Sequence, residues 1–152
     1  MATLFMLMGL PGSGKSTAAS RLQVEQHALV LKPDDWMARI VGDGYDAERR
    51  QAVKAVQLDI AEQALRLGVN VVLEFGFFGR TERDAVRKRA ATAGGQAELV
   101  FLDPPFEEVW RRVELRNRTL PSDTFPVSLD HLKLCVGWLE RPGPDEPLFQ
   151  LA

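Results

Sequence analysis

The sequence predicts an α/β domain in which buried strands alternate with helices. Short apolar runs at residues 4–8, 28–31, 69–75 and 97–102 have the length and composition of strands from the interior of a sheet. Between them lie stretches of helical periodicity, such as residues 46–67, where apolar side chains recur at spacings of three and four. This alternation is typical of a parallel sheet with helices packed against it.

The first strand runs into residues 9–17, GLPGSGKST, which fit the phosphate-binding pattern G-x-x-x-x-G-K-[ST] at every fixed position. Glycine accepts positive φ, so the N–H groups of this phosphate loop can turn inward around an anion at the positive end of the next helix. We expect Lys15 to reach the β- and γ-phosphates of a nucleotide, and the Ser16 hydroxyl to bind Mg²⁺. The alternative, a glycine turn that binds nothing, leaves the register of the lysine and the serine unexplained. The predicted nucleotide-binding residues are Gly12, Ser13, Gly14, Lys15, Ser16 and Thr17.

An acidic pair, Asp34 and Asp35, follows the second strand, and Pro33 ends the strand pairing there. Aspartate is favoured at helix starts, so one interpretation is that this pair caps a helix. Ligands of α/β sheets bind at the carboxyl ends of the strands, which is where the pair lies. We therefore expect one aspartate to cap a helix and the other to face a ligand.

The third strand ends in another acidic residue, Glu74, and a loop follows at residues 76–80. Beyond it, Thr81 and Asp84 resemble a capping box, which predicts the start of a helix. The preceding long helix should be capped by Asp46, and its charged side chains are typical of a solvated face.

The helix predicted from residue 106 to about 116 carries an apolar stripe that changes to arginine. Val109, Arg112, Val113 and Arg116 share this stripe by the i, i+3, i+4, i+7 rule. Arginine is also favoured near a helix carboxyl end by the helix dipole, and both interpretations are open for Arg112. For Arg116 and for Arg118, a functional role is favoured. The polar segment at about 116–127 is predicted to be a lid.

The remaining carboxyl-terminal segments are predicted to hold one more helix and a short strand. Ser128 should cap the last helix, and residues 148–151 should form a short final strand.

Composition limits the class of protein. The 152 residues are 45% hydrophobic and 26% charged, as expected for a single globular domain spanning 1–152. The net charge of −2 argues against a broad nucleic-acid-binding face. Cys135 is the only cysteine, which excludes a disulfide framework and favours a buried thiol. No signal peptide or membrane span is visible, so a cytoplasmic location and no membrane partner are expected; the oligomeric state is not indicated.

Three features together resemble a known group of enzymes: the phosphate loop, the Asp34–Asp35 pair, and the arginine-bearing helix and lid at residues 106–118. They resemble the small P-loop kinases, AAA-type ATP-dependent kinases similar to polynucleotide kinase, zeta toxin and antibiotic phosphotransferases. The resemblance covers residue 4 to about residue 142. It implies a P-loop NTPase fold of three α/β/α layers, with a parallel five-stranded sheet in the order 2-3-1-4-5, and it implies ATP and Mg²⁺ as cofactors.

The resemblance also implies roles for individual residues. Asp34 would be the general base on the acceptor hydroxyl, and Arg116, with either Arg112 or Arg118, would close over the γ-phosphate. Lys15 of the phosphate loop is the third predicted catalytic residue. In polynucleotide kinase an arginine lies a few residues beyond the acidic pair, whereas here Met37 precedes Arg39. The residues expected on the substrate side are Asp35, Arg39, Glu74 and Arg80. Two roles stay open for Glu74, a magnesium-bound water and the acceptor.

Three functions follow as alternatives. The first is an ATP-dependent kinase acting on the hydroxyl of a small molecule, favoured by the compact size and the acidic composition. The second is a 5′-hydroxyl polynucleotide kinase, with nucleic acid as a less favoured partner. The third is a regulatory module that binds or hydrolyses ATP. The guanine-specific motif Asn-Lys-x-Asp does not occur, which favours ATP over GTP.

Overall fold

The computed structural model describes residues 1–121 and 124–151. Four strands are present in that part of the chain: β1 (Thr3–Met8), β2 (Leu29–Leu31), β3 (Val71–Gly76) and β4 (Gln96–Phe101). The helices are α1 (Lys15–Glu25), α2 (Pro33–Trp36), α3 (Ala47–Arg66), α4 (Arg80–Thr92), α5 (Phe106–Thr119) and α6 (Leu129–Trp138). A π-helical turn, Met37–Val41, continues α2.

The strands form one parallel sheet in the order β2-β3-β1-β4. In the register of the central strand, Leu4 lies opposite Val71 on one side and opposite Ala97 on the other. All four strands therefore end at the same edge of the sheet, where ligands of such folds bind. The predicted parallel α/β/α architecture is confirmed.

The predicted fifth strand is wrong as a full strand. At the outer edge of β4, Leu148 makes an isolated parallel bridge with Leu99, and the Phe149 N–H donates to the Leu99 carbonyl at 2.8 Å. Pro144 and Pro147 lie just before this bridge, and proline has no N–H with which to extend a ladder. The chain thus occupies the fifth position of the predicted order without forming a strand there.

The core lies on both faces of the sheet because successive strand residues point to opposite sides. On one face, Leu4 and Met6 of β1 pack in a cluster with Ala61 of α3 and Val86 of α4. On the other face, Phe5 and Leu7 pack with Ala18 and Leu22 of α1. The ring of Phe149 meets the ring of Phe5 edge to face, with 5.1 Å between the ring centres. These two apolar layers fix the edge of the sheet on which the phosphate loop lies.

Two of the four predicted helix caps are confirmed. The Asp46 side chain accepts from the Arg49 N–H at 3.0 Å, and the Ser128 side chain accepts from the His131 N–H at 3.1 Å. The cap predicted for one of Asp34 and Asp35 is wrong, because α2 begins at Pro33 after Lys32 and both aspartates lie in its first turn without a side-chain cap. The capping box at residues 81–84 is wrong, because α4 already begins at Arg80 after Gly79, without a side-chain cap. Asp84 instead accepts from Arg80 and Arg87.

Helix α5 extends to Thr119, three residues beyond its expected end. After it, the Asn117 amide bonds both backbone groups of Val127, donating to the carbonyl at 2.8 Å and accepting from the N–H at 3.0 Å. Of the lid predicted at 116–127, residues 122 and 123 lie outside the described residues, and the lid stays a prediction. No helix in the described part of the chain is both long enough and apolar enough to span a membrane.

Candidate nucleotide and acceptor site

A cavity of about 1180 Å³ opens at the carboxyl edge of the sheet. The phosphate loop forms one side, together with Arg112 and Arg116 of α5. The other side, called the second wall, is built from α2, the segment before α3, α3, the loop after β3 and α6. Its residues are Asp34, Tyr45, Arg50, Lys54, Phe78, His131 and Trp138.

The phosphate loop requires glycine where α5 packs on it. Gly12 has φ of 82°, and a Cβ there would lie 2.7 Å from Cγ2 of Val113. Gly14 has φ of 101° and ends the loop as the N-cap of α1. Both backbone conformations are rarely adopted by other residues, so the loop depends on these glycines.

Lys15 lies inside the loop. Its ammonium donates to the carbonyls of Gly9 and Leu10 at 2.8 and 2.9 Å. Burial lowers the pKa of Lys15 to about 8, while the carboxylates of Glu74 and Asp34 act in the opposite direction. An anion in the loop would stabilise the charged ammonium further, since opposite charges raise the pKa of a lysine.

Ser16 and Glu74 form an oxygen-bearing pair beside the loop. The Ser16 hydroxyl donates to Oε1 of Glu74 at 2.9 Å and accepts from the Lys32 ammonium at 3.1 Å. Burial raises the pKa of Glu74, and Lys32 opposes that shift. Hydroxyl and carboxylate oxygens are the ligands that Mg²⁺ prefers, so these residues fit a magnesium ion at this point.

Asp34 lies on the second wall, where Arg50 contacts it. Nη2 of Arg50 is 2.7 Å from Oδ1 of Asp34 and also donates to the Gly44 carbonyl at 2.7 Å. The neighbouring Asp35 lies in the first turn of the short helix α2 and pairs with Arg39 at 3.7 Å. The structure thus separates the two aspartates, with Asp34 on the cavity and Asp35 paired along the helix.

The arginines of α5 differ in their surroundings. Arg112 bonds Glu108 at 3.0 Å, and its Nη1 is 3.5 Å from the Gly12 carbonyl. Nε of Arg116 is buried and has no hydrogen-bond partner within residues 1–121 and 124–151. Such an atom costs free energy unless a ligand or a water satisfies it.

The structure brings most predicted site residues together, but not all of them. The cavity is lined by Gly12, Ser13, Gly14, Lys15, Ser16, Thr17, Asp34, Glu74, Arg112 and Arg116. The predicted residues that lie outside its lining are Asp35, Arg39, Arg80 and Arg118. Arg80 bonds Asp84 and Asp145 on the outside of α4, at 3.0 and 2.8 Å.

Sequence reasoning missed most of the second wall. The charge pattern of α3 predicts a solvated face, yet Arg50 and Lys54 line the cavity. The Tyr45 hydroxyl donates to the Pro126 carbonyl, and its ring meets His131 edge to face at 5.2 Å. The sequence did contain a signal for the cavity-lining face of α3. Polar residues at positions 50, 51 and 54 repeat with helical spacing next to a predicted ligand site.

The sequence of the chain also matches a known protein family. A family described as an AAA domain matches residues 4–142. A probable adenylyl-sulfate kinase from Aeropyrum pernix is 31% identical over 112 residues, which cover 70% of this chain. The same alignment spans 61% of that relative's own length.

Two solved structures are also similar. A sugar kinase from Janibacter sp. HTCC2649 has a TM-score of 0.71 and 22% identity, covering 99% of this chain and 85% of the other. The APS kinase CysC of Mycobacterium tuberculosis, solved with AMPPNP and APS, has a TM-score of 0.54 and 26% identity. That match covers 78% of this chain and 74% of the other. Because the family match spans most of the sequence, the chain belongs to this AAA-domain family, and its fold is similar to that of these P-loop kinase structures.

Proposed function

We propose that this domain is an ATP-dependent kinase that transfers the γ-phosphate of ATP to a hydroxyl group of a small molecule. The observation that carries the proposal is that one cavity holds both the phosphate loop and the carboxylate of Asp34. Phosphoryl transfer needs a nucleotide held by its phosphates and an acceptor hydroxyl placed in line with them. The similarity to an adenylyl-sulfate kinase and to a sugar kinase supports a phosphotransferase of this kind.

The nucleotide is proposed to be ATP, held by the phosphate loop. Lys15 would exchange the Gly9 and Leu10 carbonyls for the oxygens of the β- and γ-phosphates, which are stronger partners for an ammonium. Backbone N–H groups at the start of α1 would bind the same phosphates. The similar APS kinase was solved with AMPPNP, which supports an adenine nucleotide here.

Ser16 is proposed to ligate Mg²⁺, with Glu74 beside it. Their oxygens are 2.9 Å apart, so a cation bound by the hydroxyl would also lie within reach of the carboxylate or of a water held by it. When bound, the ion would neutralise charge on the β- and γ-phosphate oxygens. This arrangement favours the magnesium role of Glu74 over contact with the acceptor.

Asp34 is proposed as the general base. Its carboxylate would accept a hydrogen bond from the acceptor hydroxyl and take the proton as the acceptor oxygen bonds to the γ-phosphorus. The bond between that phosphorus and the bridging β–γ oxygen breaks, and ADP leaves. The proton then passes from Asp34 to solvent, which restores the carboxylate.

Arg116 is proposed to stabilise the transferring phosphoryl group. Its side chain lines the cavity together with the phosphate loop, and its buried Nε lacks a hydrogen-bond partner in the described part of the chain. Arg112 lies over the loop beside Gly12 and Gly14 and would act from the same helix. Charge spreads over the equatorial oxygens during transfer, which is when such guanidinium groups stabilise most.

The experiment is a transfer assay with γ-labelled ATP and Mg²⁺. One tube holds pooled hydroxyl-bearing metabolites and aminoglycosides, and another holds an oligonucleotide with a 5′-hydroxyl end. We expect label in a small molecule, which mass spectrometry would identify. Label in the oligonucleotide would support a polynucleotide kinase instead, and label only in free phosphate would leave an ATPase. The matched control for substitutions of Asp34 is Asp130→Asn, which removes an exposed carboxylate on α6.

A further inference from the structure

Helix α3 presents two cations to the cavity. Its cavity-lining residues are Ala47, Arg50, Gln51 and Lys54, which follow the i, i+3, i+4, i+7 spacing of one helix face. Neither cation belongs to the phosphate loop or to α5. The second wall therefore has its own positive groups, separate from those proposed for ATP.

Arg50 is held in a fixed position and keeps donors for a ligand. Its contacts with the Gly44 carbonyl and with Asp34 both use Nη2, at 2.7 Å each. The guanidinium carries further N–H groups on Nε and Nη1. The side chain is 30% exposed and lines the cavity.

Lys54 is held in a similar way, one helical turn further along. Its ammonium is 2.9 Å from Oε2 of Glu82 and 5.0 Å from the centre of the Phe75 ring. Only 14% of the side chain is exposed, so this cation is partly desolvated. A lysine ammonium has three donors, and its interaction with an anion strengthens as water is excluded.

The charge of the cavity supports an anionic ligand beyond ATP. Its described lining residues include seven cationic and three acidic side chains, although the whole chain has a net charge of −2. A magnesium-bound triphosphate would neutralise only part of this excess. The cationic side chains are Lys15, Arg21, Lys32, Arg50, Lys54, Arg112 and Arg116, and the acidic ones are Asp34, Glu74 and Glu82.

We propose that Arg50 and Lys54 form a subsite for an oxyanion, a carboxylate or a phosphate, carried by the acceptor. Arg50 would bind this oxyanion while it still contacts Asp34, and would so direct the acceptor hydroxyl to that carboxylate. An arginine fork suits this task because it binds two groups at a defined angle. The inference rests on the proposed function in taking Asp34 as the partner of the hydroxyl.

The test measures oxyanion binding rather than turnover. Protein saturated with AMPPNP and Mg²⁺, so that the phosphate loop is filled, is titrated by calorimetry with inorganic phosphate or with acetate at constant ionic strength. We expect saturable binding of at least one, and the two titrations distinguish a phosphate subsite from a carboxylate subsite. Arg50→Met should weaken it by about 10–100-fold, the usual value of a hydrogen bond to a charged group. Lys54→Met should weaken it by a smaller factor.

Two further variants separate the subsite from simple support of Asp34. Arg49→Met removes a cation from the adjacent position. The Arg49 side chain is 68% exposed, and its Nε lies 3.5 Å from a carboxylate oxygen of Asp46. This variant should bind the probes as the wild type does. Asp34→Asn should bind them at least as tightly, because it removes a competing carboxylate from Arg50.

Three results would overturn the subsite. The first is that neither phosphate nor acetate binds saturably. The second is that Arg50→Met binds the probe as tightly as the wild type does. The third is that Arg49→Met weakens the binding as much as Arg50→Met does. Failure of AMPPNP itself to bind would contradict the proposed function instead. Arg50→Lys, which keeps the charge and should recover part of the binding, distinguishes a lost contact from a misfolded variant.

Discussion

The two sides of the cavity are constructed differently. The phosphate loop is a single stretch, residues 9–17, that runs from the end of β1 into the first turn of α1. Its conformation depends on local glycines and on α5 packed above Gly12. The second wall combines side chains from α2, the segment before α3, α3, the loop after β3 and α6, joined by ion pairs and hydrogen bonds. A site made from one segment is readable as a motif, whereas a site assembled from distant segments depends on the tertiary fold.

A buried ion pair supports the second wall from behind. Arg83 of α4 is fully buried and bonds both carboxylate oxygens of Glu146, at 2.9 and 3.0 Å. It also donates to the Phe77 carbonyl at 3.0 Å, which fixes the loop where Phe77 has φ of 51° next to Phe78. The carboxyl-terminal segment thereby holds a strained loop of the cavity in place.

The largest effect is expected on turnover, from a substitution in the phosphate loop. Lys15→Met should abolish turnover, because the variant loses the cation that reaches the β- and γ-phosphates. The fold should remain, since within residues 1–121 and 124–151 the Lys15 ammonium bonds loop carbonyls alone and the side chain belongs to no apolar cluster. Turnover and thermal unfolding measured together test this, and a turnover near the wild-type level would contradict the role of Lys15.

The next effect is on stability, through the pair behind the second wall. Arg83→Met should lower the free energy of unfolding by about 3–5 kcal/mol, because it leaves Glu146 buried with a weaker set of partners. Asp145→Asn, next to Glu146 in the sequence, is the matched control, since it removes an exposed ion pair with Arg80 and should cost far less than the buried pair. Urea unfolding of both variants measures the difference, and equal losses would show that burial of the pair does not matter.

A smaller effect is expected from pH. Arg83 lowers the pKa of Glu146 to about 2 from an ordinary 4.5. Because the folded state binds this proton less readily than the unfolded state, the contribution to stability is present above 4.5 and is lost as the pH falls towards 2. The difference in unfolding free energy between wild type and Glu146→Gln should therefore shrink as the pH falls through that range. A difference that does not change with pH would contradict the assignment.

The comparison also explains what the sequence could predict. The phosphate loop and the caps at Asp46 and Ser128 were predictable because each depends on a few adjacent residues. The fifth strand was not, because apolar residues after Pro147 resemble a strand although the prolines shorten the ladder.

Arg50 was missed for a physical reason of the same kind. A charged residue on an amphipathic helix is usually solvated, and only the packing of α3 beside α2 brings it to Asp34. The capping box at Thr81 failed because its aspartate has stronger partners in two arginines.

The measurement that tests the account most directly compares nucleotide binding with phosphoryl transfer in Asp34→Asn. Calorimetry gives the affinity for AMPPNP. A single-turnover measurement with γ-labelled ATP gives the rate at which label reaches the acceptor identified in the transfer assay. We expect unchanged affinity for AMPPNP and a transfer rate lowered by about 10²–10⁴-fold, the usual contribution of a general base. Transfer by Asp34→Asn at the wild-type rate would contradict the claim that this carboxylate, facing the phosphate loop across one cavity, acts on the acceptor.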